Sequence, residues 1–367
     1  MSERPFVEAD IPQVVDLYWT FMRGQRGPAP PELRSAFQEL YFTNPWLDEL
    51  RSAVHESKEG KIVGFLGAVV RRMSVCGRPV RALFGGNFVV HPEYRSKLAA
   101  LRMLTSMTSR GQDISLTDSA NDVSRQLLER IGWSTLAPLS IHWVRPLRPA
   151  QYAAYAASRL TGPAVSSALN LIAKPFCGLA DHVAARLSSN PFRHSKPRMH
   201  GEDLDAETLL RCLAEFRGGY SILPEYDIQS LKWLLNYMGR MPARGDLRMV
   251  VVRNDEQKIL GWFIYYARRG GVGEVVQFGG DRQYASDLLD HLFEDAWDRG
   301  VIALHGVVNT RLMPDFSAKN CFFTCRGGWT VAHSHNPELF ELLKRGDALF
   351  SRLDGEWCLD PGRRLPA

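Results

Sequence analysis

The stretch that decides the fold reads RALFGGNFVVHPEYRSKLAALRMLTSM, from Arg81 to Met107. Its first ten residues, Arg81–Val90, are mostly apolar and rich in strand-forming types, which predicts a β-strand. Gly85 and Gly86 interrupt it. A glycine pair inside a strand marks a bulge or a close approach to the backbone. His91-Pro92 ends the strand, since proline has no N–H to give to a ladder. From Ser96 to Ser109 the spacing of Leu98, Leu101, Leu104 and Met107 puts four apolar side chains on one side of a helix.

Upstream, the runs Ser52–Glu56 and Lys61–Arg71 flank Ser57-Lys58-Glu59-Gly60, a hairpin signature. The second run is nearly all apolar, as a central strand is. Before them lie two helical segments. Ile11–Met22 carries Val14, Val15, Tyr18 and Phe21 on one face, and Leu33–Phe42 is followed by Asn44-Pro45-Trp46. Downstream the sequence predicts a strand at Gln112–Thr117, a helix at Asn121–Ile131 ended by Gly132, and a strand at Ser134–Val144. An antiparallel start followed by strand, helix and strand predicts a mixed sheet with helices on its faces.

From Asp203 the alternation begins again. Helices are expected at 205–216, 227–239, Tyr284–Asp298 and Ser317–Cys325. Strands are expected at Leu247–Arg253, Ile259–Tyr266, Glu274–Phe278, Val301–Val308 and Trp329–Ser334. The order repeats that of the first half, which suggests duplication. A chain of 367 residues is also too long for one compact core. The expected class is therefore α/β (α+β, mixed sheet), with two tandem domains at 1–146 and 198–367. The stretch 147–197 is read as a helical linker. Within it, 160–173 carries no formal charge, so 151–187 is either a helical hairpin packed on a domain or an amphipathic element touching a membrane or a fatty acyl chain.

The net charge is only +5, and basic residues are spread along the chain without interleaved aromatics, so nucleic acid is not expected as a partner. A mild positive excess suits a polyanionic small molecule. Six scattered cysteines (Cys76, Cys177, Cys212, Cys321, Cys325 and Cys358) read as free thiols of a reducing compartment. Cys321 and Cys325 lack a partner pair at zinc spacing, and His333 and His335 read as strand-surface polarity, so no metal is expected. The first residues lack an apolar signal core. A cytoplasmic protein is expected, peripheral to the inner membrane if 151–187 meets it.

The segment FVVHPEYRSKLAALRML (Phe88–Leu104), followed by a strand and then SANDVSRQLLERIGW (Ser119–Trp133), resembles the cofactor-binding half of the GNAT N-acetyltransferase superfamily. The resemblance spans roughly residues 5–145. It implies two tandem GNAT-like domains, each a mixed sheet flanked by helices, in a bacterial-type protein that uses acyl-CoA (acetyl-CoA or longer) and no metal. In the family a loop opening a helix wraps the coenzyme A pyrophosphate; here that loop is Arg95-Ser96-Lys97-Leu98-Ala99-Ala100. Unpaired N–H groups and the positive end of the dipole make a helix N-terminus an anion site. Leu98 stands where relatives carry glycine, which restricts how closely the backbone approaches a phosphate. Asn87, Phe88, Val89 and Val90 correspond to the splayed strand that offers backbone groups to the cofactor. Asn121 and Ser124 correspond to the turn facing its pantetheine arm. A tyrosine that protonates the leaving thiolate is often found where this chain has Leu128, which cannot do so.

The resemblance implies direct acyl transfer from the thioester to an amine. That chemistry needs a group to take the amine's proton and donors for the developing oxyanion. Asp118 and Asn121 are the best placed polar residues of the first domain. From the second, Glu225 and His305 are the catalytic candidates, with Tyr226 and Asp315 beside them. Asp118 reads equally as a helix cap and His305 as a core histidine. The second domain lacks the arginine loop and is expected to be a degenerate partner that shapes the acceptor pocket. The acceptor is a small-molecule or lipid amine, a sphingoid base among them. Two other readings stay open: a non-catalytic GNAT-fold binding protein, and aminoacyl transfer from tRNA, which would call for a basic helical arm that the sequence lacks.

Overall fold

The computed structural model describes residues 2–94, 97–108, 110–159, 176–184, 187, 190–192, 197, 199–325 and 328–362. Two compact units form, and neither is one continuous run. The first takes Met1–Ser140, Gly219–Arg240 and Cys325–Arg363; the second takes Ile141–Gly218, Met241–Thr324 and Arg364–Ala367. The chain thus departs from the expected boundaries at 146/147 and 197/198.

Two strands account for most of the difference. The expected strand Ser134–Val144 breaks at a 3₁₀ turn over Ala137–Leu139, where Pro138 has no N–H to give to a ladder. Its halves become β6 (Ser134–Thr135) in the first sheet and β7 (His142–Pro146) in the second. The strand Trp329–His333, β15, expected in the second domain, pairs antiparallel with β5 (Ile114–Ala120) and β6. The expected helix Ser317–Cys325 is also displaced: the helix is Met313–Ala318, opened by Pro314, and Phe322–Thr324 forms a strand, β14.

The first sheet also holds β1 (Ser2–Pro5), β2 (Ala53–Glu56), β3 (Ile62–Val75) and β4 (Arg78–Val90), in the order β1-β2-β3-β4-β5-β15-β6. A short strand, β9 (Ile222–Pro224), pairs with the far end of β3. Only β4 and β5 run parallel. One face of the sheet is covered by the helices Ile11–Leu17 and Pro31–Gln38, whose Val14, Val15, Leu33 and Phe37 pack on Phe65 and Val89. The other is covered by the helices Lys97–Ser106 and Asp122–Arg130, whose Met103, Leu104 and Leu128 pack on Leu66, Val70 and Leu83.

The second sheet adds β8 (His200–Asp203), β10 (Asp246–Arg253), β11 (Ile259–Ala267), β12 (Val272–Gly280) and β13 (Ala303–Val307), in the order β14-β7-β13-β12-β11-β10-β8. Read from β8, three antiparallel pairings are followed by one parallel pairing, β12 with β13, and then two antiparallel ones. The first sheet, read from β1, has the same sequence of senses. The repeated order of elements in the sequence is therefore a repeated sheet topology. The uncharged segment 160–173, and with it about half of the expected membrane element 151–187, lies outside the described residues. Among the described residues no helix is long and apolar enough to cross a membrane.

Candidate functional site

The parallel ladder between β4 and β5 is short. It joins Ala82, Leu83 and Phe84 to Ile114, Ser115 and Leu116 and then stops, so that Gly85–Val90 and Thr117–Ala120 diverge. On its other side β4 loses register with β3 after the Gly86–Gly67 pair and regains it at Val89–Phe65. Two β4 residues there oppose one of β3, which is a bulge. Asn87 takes up the extra length at φ +52°, a conformation that asparagine adopts more readily than most residues. Asn87 and Phe88 therefore fall outside the paired ladder.

A cavity of about 460 Å³ occupies this divergence. Its lining comes from both faces of the sheet. Leu66, Leu104, Met107 and Leu128 make an apolar side, while Tyr41, Thr117, Ser119, Glu356 and Asp360 make a polar one. Two π turns reach the cavity, one bringing Phe21 and Met22 and the other Leu40 and Tyr41. The helix Ile11–Leu17 continues into a π turn over Tyr18–Met22, and Pro31–Gln38 into one over Glu39–Thr43. Such turns re-aim side chains and recur at functional sites.

Glycines make room for the polar groups. A Cβ at Gly67 would fall 2.3 Å from the Tyr41 hydroxyl, and one at Gly86 would fall 2.5 Å from Glu356 Oε2. Gly67 and Gly86 are directly paired, and paired residues point to the same face of a sheet. The phenol and the carboxylate thus lie side by side. Glu356 Oε1 accepts from the hydroxyls of Thr117 and Ser119, both at 2.6 Å. Asn87 Nδ2 donates to Tyr41 Oη at 2.9 Å. Burial raises the Tyr41 pKa well above its ordinary value, against the pull of Asn87. Tyr41 is therefore a protonated donor across the physiological range.

A second group ties down the tail that carries Glu356. Tyr18 Oη donates to Asp360 Oδ1 at 2.6 Å, Arg23 Nη2 pairs with Asp360 Oδ2, and Arg23 Nε donates to Tyr18 at 2.7 Å. Burial, joined by the Asp360 charge, holds the Tyr18 hydroxyl well above its ordinary pKa.

Asn87, Phe88, Val89, Val90, Ala100, Asn121 and Ser124 all line the one cavity. Asn121 also caps the helix Asp122–Arg130, accepting from Ser124 N at 2.8 Å. Arg95 and Ser96 lie outside the described residues. Lys97, Leu98 and Ala99 open the helix Lys97–Ser106, and of their side chains nothing is described. Asp118 sits on β5 between Thr117 and Ser119 but does not line the cavity. Its Oδ1 accepts from Trp357 N–H at 3.0 Å, and it packs on Gly355. The alternation of side chains along a strand separates it from its neighbours.

Glu225 and Tyr226 belong to the first unit, not the second. Glu225 is exposed, and Tyr226 donates to Asp354 at 2.7 Å; neither lines the cavity. His305 is in the second unit, bonded through Nδ1 to Glu274 at 2.7 Å and stacked on His142. Asp315 lies in the first turn of Met313–Ala318, also in the second unit. The four catalytic candidates are thus not brought together. Sequence reasoning missed Tyr41, Glu356 and Asp360. Its only signal for them was the Gly85-Gly86 pair, which marks a close approach without saying by what.

In the second unit the β12–β13 ladder also ends early, at Val275–Gly306. There Trp143 packs on Gly306, where a Cβ would fall 3.0 Å from the indole nitrogen, and Phe316 meets both Trp143 and Phe278. Aromatic rings sit at this divergence, where the first unit has a cavity.

No protein-family model and no curated protein matches the chain. Solved structures do. A conserved Enterococcus faecalis protein described as a probable N-acyltransferase superposes with a TM-score of 0.59 at 12% identity, over 91% of this chain and 72% of that one. The GCN5-related N-acetyltransferase of Anabaena variabilis gives 0.57 at 13%, over 91% and 73%. The chain has the GNAT fold. Saccharomyces cerevisiae N-myristoyltransferase, solved with myristoyl-CoA and inhibitors, gives 0.54 at 14%, over 90% and 79%. The cavity of the first unit thus lies at the strand divergence of a GNAT-like sheet. Among the described residues no cluster of three or more His, Cys, Asp or Glu side chains is arranged to hold a metal ion.

Proposed function

We propose that the first unit transfers the acyl group of a coenzyme A thioester to an amine, directly and without a covalent enzyme intermediate. The observation that carries this reading is the Glu356 carboxylate, held over Gly86 where β4 and β5 part, with Tyr41 beside it. The neighbouring yeast enzyme, solved with myristoyl-CoA, supports a thioester of this kind as donor. Such a donor supplies an activated acyl group, and the chain's residues do the rest.

The backbone of Asn87–Val90, released from the ladder, orients the thioester, and the Asn121–Ser124 turn holds the pantetheine arm. The start of the helix around Arg95–Ala100 takes the pyrophosphate. Glu356 accepts the proton that the amine loses as it attacks. Thr117 and Ser119 fix one of its oxygens, so the other keeps one orientation. Tyr41 accepts from Asn87 and turns its own O–H elsewhere, toward the oxygen that gains charge or the sulfur that leaves. It thereby takes the donor's role that Leu128 cannot fill. The second unit, with aromatic rings at its own divergence, is the degenerate partner. The acceptor is an amine of small-molecule or lipid type.

Calorimetric titration with coenzyme A and acetyl-CoA tests the reading. Saturable binding that weakens in Arg95→Ala and persists in Glu356→Gln is expected, with turnover lost in the latter. A folded protein that binds neither ligand would falsify it.

A further inference from the structure

The cavity has a closed end that the chemistry just described does not use. The β4–β5 ladder stops at Phe84–Leu116, and the next residue on β4 is Gly85. The space of a side chain at Gly85 is filled by Met107: a Cβ there would fall 2.2 Å from its Cε and 2.5 Å from its Sδ. Met107 is 2% exposed, in the turn that ends the helix Lys97–Ser106. Its backbone oxygen accepts from the Gln112 side chain and, at 3.3 Å, from Ser115 Oγ, which anchors the backbone that carries the thioether. Leu66, Leu104, Leu128 and Trp133 complete an apolar wall around it.

Position along β4 gives the order of events. Val90 and Phe88 lie toward the open end, Gly86 lies beneath Glu356, and Gly85 lies one residue beyond. A strand advances about 3.3 Å per residue. Adjacent strand residues point to opposite faces, so Met107 closes the vertex from the face opposite Glu356, and an acyl chain that extends past the reacting carbon toward the vertex on that face meets its thioether. The whole cavity of about 460 Å³ must also hold the pantetheine arm and the acceptor's amine. Met107 is unbranched and flexible, so it defines a soft stop that one substitution can remove.

We infer that Met107, seated over Gly85, limits the donor to short acyl groups and sets the chain-length specificity of this site; the inference rests on the acyl-CoA reading above. The measurement is the affinity of the full chain for coenzyme A, acetyl-CoA, butyryl-CoA and octanoyl-CoA, in the wild type, Met107→Ala, Gly85→Ala and the double variant. The wild type is expected to bind the acetyl and butyryl thioesters at least about tenfold more tightly than the octanoyl one, a step typical of one or two methylenes refused by an apolar pocket. Met107→Ala is expected to remove that difference and leave free coenzyme A unchanged. Gly85→Ala, which drives a methyl into Met107, is expected to weaken the acyl thioesters. Adding Met107→Ala is expected to restore them.

Equal affinity for all chain lengths in the wild type overturns the inference, and so does a length profile unmoved by Met107→Ala. Both leave the acyl-CoA reading standing if coenzyme A itself binds. Loss of every affinity, coenzyme A included, in the folded wild type sinks the acyl-CoA reading instead. Met107→Leu, which keeps the volume, guards against a variant that fails only because its core is disturbed.

Discussion

The Glu356 carboxylate lies in the space that a side chain at Gly86 would take, with Oε2 2.5 Å from the position of the missing Cβ. The two residues are 270 positions apart in sequence (356 − 86). Glycine at 86 is what lets the tail lower an acid onto the sheet. Thr117 and Ser119 then hold it there from the neighbouring strand.

Glu356→Gln keeps the shape of the side chain and removes its basicity. The turnover number is expected to fall by about 10²-fold or more, the usual worth of a positioned proton acceptor. The KM for the donor should change little. A variant that keeps wild-type turnover would assign the proton to solvent.

Gly86→Ala places a methyl where the carboxylate lies, so Glu356 must move. Its loss of activity is expected to approach that of Glu356→Gln. The double variant is expected to be no worse than the worse single one, because residues acting through one contact do not add. Steady-state rates of the four proteins make the test; additive losses would separate the two positions.

Tyr41→Phe removes the hydroxyl that Asn87 addresses at the bulge. A drop in turnover with unchanged donor affinity is expected. Because burial holds the wild-type phenol above its ordinary pKa, wild-type activity should show no alkaline loss from tyrosine up to about pH 10. An alkaline limb that disappears in Tyr41→Phe would instead show an ionising phenol.

Tyr18→Phe deletes the donor to Asp360 in the buried cluster that secures the tail. A loss of about 1–3 kcal/mol is expected, the usual worth of a hydrogen bond to a buried charged group. Urea unfolding measures it. An unchanged midpoint would mean that the tail is held without the Tyr18 hydroxyl.

Burial depresses the His55 and His333 pKa values, and His335 lowers that of His333 further. Near the ordinary histidine value of about 6.5 the unfolded chain therefore binds more protons than the folded one. Stability from these groups is complete above that value and falls as the pH drops through it. Thermal midpoints at about pH 7.5 and pH 5.5 should differ in that sense, and His55→Gln should narrow the gap.

The sequence by itself determined most of the local elements and the strand and turn that line one side of the candidate site. Periodicity located the paired helices, and the turn signature Ser57–Gly60 located the β2–β3 hairpin. The Gly85-Gly86 pair announced a close approach, and Asn87–Val90, Ala100, Asn121 and Ser124 line one cavity, because residues near in sequence share strands and turns. Only the tertiary structure decided which residues meet across that cavity. Tyr41 arrives on a π turn, and Glu356 and Asp360 come from the other end of the chain. The long-range pairing of β15 with β5 likewise decided to which sheet Trp329–His333 belongs. Local pattern encodes which face a residue is on, through periods of 2 and 3.6 residues. It carries no record of which distant segment will cover that face.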